Sequence, residues 1–185
     1  MKKWQLLVLG ACCCIMLAFV GCTKNYMILH DLEQPLGNGI RCSVGDITDE
    51  LPEDFAPEDK PTIENINSFR NRLIEELEKA DIFDEVLYFE PNASTYEVTG
   101  SIIDYSKGSG TLRFFIGFGA GNSKVVINLE MKEVKTGNVV FSANFTGSVS
   151  SWAEKGDKCF EQVAKSFAKQ LKKRQKKLLK EAEQG

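Results

Sequence analysis

Residues 124–146 constrain the fold more tightly than any other stretch of the chain. Val125, Ile127, Leu129 and Met131 alternate with Val126, Asn128, Glu130 and Lys132. Lys135-Thr136-Gly137-Asn138 follows, and then Val139, Phe141, Ala143 and Phe145 alternate with Val140, Ser142, Asn144 and Thr146. A period of two places each apolar series on one face of a strand. The glycine-containing turn between them closes an antiparallel hairpin. One face is committed to a core, and the other looks at water or a partner.

The cover for that core is also readable. Phe160, Val163, Ala164, Phe167, Ala168 and Leu171 recur at i, i+3, i+4, i+7, i+8 and i+11, a stripe that packs a last helix on the sheet. The helix should begin between Ser151 and Glu154 and end near Glu183. Beyond Leu171 only Leu178 and Leu179 remain as apolar anchors, so residues 176–185 read as a charged helical tail. An earlier helix is expected over 62–80, with Ile63, Ile66, Leu73, Ile74, Leu77 and Ala80 on one face and Phe69 at its margin. Thr62 or Asp59 would cap it. Strands are expected near 39–47, 85–90 and 95–105. An acidic loop over 48–61 carries three prolines and reads as solvated, since its carboxylates lack the spacing of a calcium loop. The expected fold is α+β: an antiparallel sheet of four to five strands with two helices packed on one face, in the order β-α-β-β-β-β-α. A single domain would occupy 39–175.

The N-terminus reads as an export signal. Lys2 and Lys3 precede Trp4–Val20, 17 residues without a charge. That run is short for a spanning helix, which needs about 20, and suits a cleavable apolar region. It closes on Leu17-Ala18-Phe19-Val20-Gly21-Cys22. The string resembles the bacterial lipobox. Phe19 departs from it, standing where an aliphatic residue is usual. The resemblance implies removal of residues 1–21 and acylation of Cys22, with 22–38 as a flexible tether. Two or more acyl chains anchor a protein stably where one does not. Thr23, where an aspartate would signal inner-membrane retention, implies the outer membrane facing the periplasm for a Gram-negative source, and the cell membrane otherwise.

Composition narrows the partners. Removal of 1–21 takes two lysines from a chain of net charge −3, leaving 164 residues at −5. A mildly acidic domain argues against nucleic acid. Cys12, Cys13 and Cys14 leave with the signal and Cys22 is lipidated, so Cys42 and Cys159 remain. In an oxidising compartment this pair is a candidate disulfide, worth about 4–5 kcal/mol for so long a loop. No further cysteine or histidine adjoins either one, so no metal site is expected.

Residues 108–123 read GSGTLRFFIGFGAGNS. No phosphate-binding spacing is present, and a strand rather than a helix follows. Alternating Gly117, Gly119 and Gly121 would leave one strand face bare while phenylalanines load the other. Arg113, Phe115, Gly117, Phe118, Gly119 and Gly121 are therefore the candidate partner surface. Arg113 through these glycines, the strand Lys124–Val134, Thr136-Gly137 and Val139-Val140-Phe141 together resemble a family of bacterial envelope lipoproteins carrying domain of unknown function 4410. The likeness spans about residues 39–175. It implies an α+β domain on a lipid anchor and supplies no catalytic residues. The element order is more distantly similar to domains of the curli secretion channel and of lipoprotein activators of peptidoglycan synthases, an analogy of fold only.

No catalytic set stands out. The only histidine, His30, lies near the anchor, and the serines at 101, 106, 109 and 148–151 have no plausible catalytic partner set in the sequence. Asp46 and Asp104 are the one carboxylate pair whose proximity needs a structure to test. The leading expectation is a non-catalytic, cofactor-free envelope lipoprotein that binds another envelope protein or itself. One alternative is binding of anionic lipid or lipopolysaccharide by Lys172, Lys173, Arg174, Lys176, Lys177 and Lys180. Another is a subunit of an oligomeric secretion or channel assembly.

Overall fold

The computed structural model describes residues 25–107, 123–149 and 157–184. The signal segment, Cys22, the candidate surface from Arg113 to Gly121, and the expected helix start at Ser151–Glu154 lie outside the described residues.

Six strands form one sheet, with elements in the order β1 (Tyr26–His30), β2 (Arg41–Asp49), α1 (Ile63–Ala80), β3 (Glu85–Tyr88), β4 (Tyr96–Ser106), β5 (Ser123–Glu133), β6 (Val139–Val149) and α2 (Asp157–Ala182). Across the sheet the strands run β1-β6-β5-β4-β2-β3. The hairpin forms as its alternation dictates, with Ile127 opposite Phe145 and Leu129 opposite Ala143. Gly137 takes a φ of +73° in its turn. Val125, Ile127, Leu129, Met131, Phe141, Ala143 and Phe145 are all fully buried. Every member of the α2 stripe is buried against them, and Phe167 touches the rings of both Phe141 and Phe145.

Three expectations need correction. First, the sheet has six strands and is mixed, where four to five antiparallel strands were expected. β2 runs parallel to both β3 and β4. For β3 the cause is α1: a helix between two neighbouring strands carries the chain back to its starting end, so the second strand runs parallel to the first. Residues 89–95 then return the chain to the start of β2, where Thr95 N donates to Arg41 O, and β4 sets out beside it in the same direction. Secondly, residues 22–38 are not all tether. Tyr26–His30 pairs with β6, and Leu32 and Leu36 are buried. The strand is short, with Tyr26 and Ile28 facing the core and Met27 and Leu29 exposed. His30 therefore belongs to the folded sheet. Thirdly, the buried face of α1 is centred on Phe69, Leu73, Leu77 and Ala80, while Ile63 is exposed. Phe69 is a centre rather than a margin because it meets Phe160 of α2, 5.8 Å between ring centroids.

Thr62 caps α1 as one of the two expected residues. Its hydroxyl accepts from Asn65 N (3.2 Å), while Asn65 Oδ1 accepts from Thr62 N (3.0 Å). That reciprocal pair satisfies two amides at the helix start. Asp81 ends the helix in the left-handed conformation, its N–H donating to the Glu78 carbonyl.

Candidate functional site

Cys42 and Cys159 are both buried and are not bonded to each other. The expected disulfide is absent for a geometric reason. Cys42 lies on β2 opposite Tyr96, whereas Cys159 sits against Gly147, whose row runs through Val125 to Tyr105. Tyr96 and Tyr105 are nine residues apart on β4, about 30 Å along the strand. A disulfide tolerates about 7 Å between Cα atoms. Burial, and secondarily the Glu97 charge, push the Cys42 thiol far above the ordinary range. Buried thiols of this kind are inert. Both cysteines should therefore resist iodoacetamide in the native protein and react on denaturation, with the unfolding midpoint unchanged by reductant.

The chemistry-bearing residues instead gather at the two outer strands. At one side, β1 is held from both faces of the chain that follows it. The Asn25 carbonyl accepts from Thr146 N (2.8 Å). Gln175 of α2 exchanges two bonds with Leu36, accepting its N–H (2.8 Å) and donating to its carbonyl (3.0 Å). Arg174 pairs with Asp31 and lies over the rings of Phe141 (5.5 Å) and Tyr26 (6.0 Å). An amide that replaces a backbone partner so completely should contribute about 1–2 kcal/mol. Gln175→Ala is expected to release the first residues to limited proteolysis at a denaturant concentration where the parent is still protected.

At the other side, β3 ends in Tyr88 and Phe89, both about half exposed. Phe89 has a φ of +56°. Positive φ is an outlier for a bulky side chain and costs on the order of 1–2 kcal/mol. Arg70 of α1 holds the pair. Its buried guanidinium donates from Nε to the Gly45 carbonyl (3.1 Å) and from Nη1 to Tyr88 Oη (3.2 Å) and Asn67 Oδ1 (3.3 Å). Nη2 faces Asp46 at 3.6 Å, and the cation lies 5.6 Å from the Tyr88 ring centre and 5.9 Å from that of Phe89. Phe89 N donates to Val44 O (3.1 Å) and Glu90 N to Ser43 Oγ (2.9 Å), which locks the strained turn. Sequence reasoning missed this edge because 85–90 reads as an ordinary short strand, and a left-handed phenylalanine leaves no periodic trace. Phe89→Gly relieves the strain and should not lower the melting temperature.

The open face of the sheet is polar. Thr48, Glu50, Thr99, Ser101, Asn128, Glu130 and Lys132 line a shallow depression of about 370 Å³. Ser101 donates to Glu50 (2.7 Å), and Asn128 donates to Asn144 (2.8 Å). Asp46 and Asp104 are not brought together: the first faces Arg70 and the second pairs with Lys124 at 2.7 Å. Among the described residues there is no group of three His, Cys, Asp or Glu placed to hold a metal. Nor does any described helix have the length and apolarity to cross a membrane. The basic cluster lies on the last two turns of α2 and just before them. α2 starts beside Gly147 and passes Leu36 at Gln175, so its cations sit on the β1 side of the molecule, at the end remote from Asn25.

Residues 46–153 match the model of a family described as domain of unknown function, DUF4410. The chain belongs to the DUF4410 family. Among curated proteins none matches it. Two structures of the PelC dodecamer from Paraburkholderia phytofirmans share the fold of this DUF4410 chain. One aligns with a TM-score of 0.56 at 18% identity, covering 77% of this chain and 95% of the other. The second gives 0.52 at 17% identity, covering 76% and 96%. At such identities the likeness establishes the fold alone. Lipoprotein GNA1162 from Neisseria meningitidis overlaps more loosely, with a TM-score of 0.46 at 9% identity over 71% of this chain and 97% of its own.

Proposed function

We propose that this chain is a lipid-anchored envelope protein that works by association, with itself or with another envelope protein, and performs no catalysis of its own. The observation that carries the association is Phe89. A folded domain tolerates a strained backbone only where surrounding contacts enforce it, and such sites cluster where function is placed. Here Arg70, Val44 and Ser43 enforce it, and the result is an aromatic pair displayed to solvent rather than buried. Rigid aromatics flanked by arginine are the residues that dominate protein interfaces. The PelC fold adds support, because that protein is a dodecamer.

The anchor rests on the lipobox ending at Cys22. For a Gram-negative source, Thr23 supports sorting to the outer membrane with the domain in the periplasm. The test is made on protein extracted in detergent from its native host. Intact mass should show a chain beginning at Cys22 with added acyl mass, and light scattering should show a particle larger than one chain. A retained initiator methionine or an unmodified Cys22 overturns the anchor. A monomer that also fails to crosslink to any protein in intact cells overturns the association.

A further inference from the structure

We infer that copies of this chain join head to tail, the β1 edge of one meeting the β3 edge of the next. The inference rests on the association reading above and assigns it a partner, a second copy, and a pair of surfaces.

Four observations converge on it. Large apolar side chains that remain exposed among the described residues are few, and Met27, Leu29, Tyr88 and Phe89 stand at the two opposite sides of the sheet. The charges on those sides are complementary. α2 reaches the β1 side at Arg174 and Gln175, and from Lys169 to Ala182 it carries seven cations against one acid, with Asp31 and Glu33 the acids of the adjoining segment. The α1–β3 side carries eight acids against three cations in Ile63–Glu90. Asp81, Asp84, Glu85 and Glu90 are all exposed there. The strand directions also fit. β1 is antiparallel to β6, which runs with β4, while β3 runs with β2 and β4. A neighbour related by rotation about an axis along the strands would thus set β1 antiparallel to β3, and the two are matched in length at five and four residues. Finally, the strain at Phe89 faces this junction and no core.

Such a contact is heterologous: the two surfaces differ, so it repeats until a ring closes. An isologous contact, β1 on β1, would set the basic sides of two α2 helices against each other. Short edge strands also occur simply to discourage pairing, which gives the monomer as the competing outcome.

The test uses the full lipidated chain in detergent, with Met27→Cys and Leu87→Cys, which lie on the same open face of the sheet at its two edges, made singly and together. Cys42 and Cys159 are buried and contribute little background. Under mild oxidation the double variant should form a ladder of crosslinked chains. A mixture of the two single variants should give dimers joining one of each, and neither single variant should dimerise alone. Dimers from a single variant overturn the head-to-tail geometry. Absence of every crosslink, with light scattering still showing an oligomer, overturns these surfaces and leaves self-association standing. A monomer at all concentrations overturns both. Phe89→Gly supplies a second readout: it should weaken association at least about thirtyfold, the effect of a hot-spot residue, while the circular dichroism melt stays at or above that of the parent. Unaltered association in that variant removes Phe89 from the contact. Association should also weaken between 0.1 and 1 M salt, as the screening length falls from about 10 to about 3 Å. Salt-independent association overturns the charge complementarity.

Discussion

Gly147→Ala should destabilise the domain by about 3 kcal/mol, read as a drop in the urea midpoint at unchanged slope. Gly147 faces the core from β6, and a Cβ there would stand 1.9 Å from the Cys159 carbonyl oxygen and 2.7 Å from its carbon. Both are backbone atoms of the first turn of α2, so no side-chain rotation relieves the clash. The helix must lift from the sheet, and its stripe must move with it: Phe160 against Phe69 and Tyr105, and Phe167 against Phe141 and Phe145. Overpacking costs typically about 1–3 kcal/mol, and a backbone obstacle belongs at the upper end. The sign is not set by conformational entropy, which alone would favour alanine in a strand. A variant as stable as the parent would mean that α2 does not approach β6 this closely.

Arg70→Ala is the second large effect, expected at about 2–3 kcal/mol. The substitution leaves the Gly45 carbonyl without its donor and Asp46 without its cation, and it opens space beneath Tyr88. An unmet buried acceptor costs about 1–3 kcal/mol. The cation–π contacts with Tyr88 and Phe89 add part of about 1–2 kcal/mol. Arg70→Lys should recover little. An ammonium is a single point of charge, and the three separate acceptors around Arg70 need the planar fork. Equal stability of the lysine variant and the parent would show that only the charge matters. Fluorescence of the edge tyrosine gives a further check, because Tyr88 loses a fixed donor in either variant.

Most of the core was legible because it depends on periodicity alone. The alternation of Val125–Met131 with Phe141–Phe145 and the stripe from Phe160 to Leu171 each specify a face, and the structure buries all of them. Strand direction was less accessible. The order strand–helix–strand around α1 does encode a parallel pair, yet the alternation within β2 and β3 says nothing about it. β1 escaped notice for a different reason. Five residues give too few alternations to separate from a tether, and its place is decided by Gln175, Arg174 and Asp31, contacts remote in sequence. The aromatic edge was the least visible of all. What marks Phe89 is a dihedral angle, and what enforces it is a guanidinium nineteen positions earlier in the chain. The same limit defeated the disulfide expectation: Cys42 and Cys159 are plausible partners by compartment, and only the sheet register shows that they stand at opposite ends of it.

The stitching of β1 has a consequence for reach. Asn25 is fixed to β6, and three residue steps separate it from Cys22, a span of at most about 11 Å however the chain is drawn out. An acylated Cys22 would give the domain almost no leash. It would ride on the bilayer surface, unable to swing out across the compartment, and whatever it touches would have to come to that surface or already stand there.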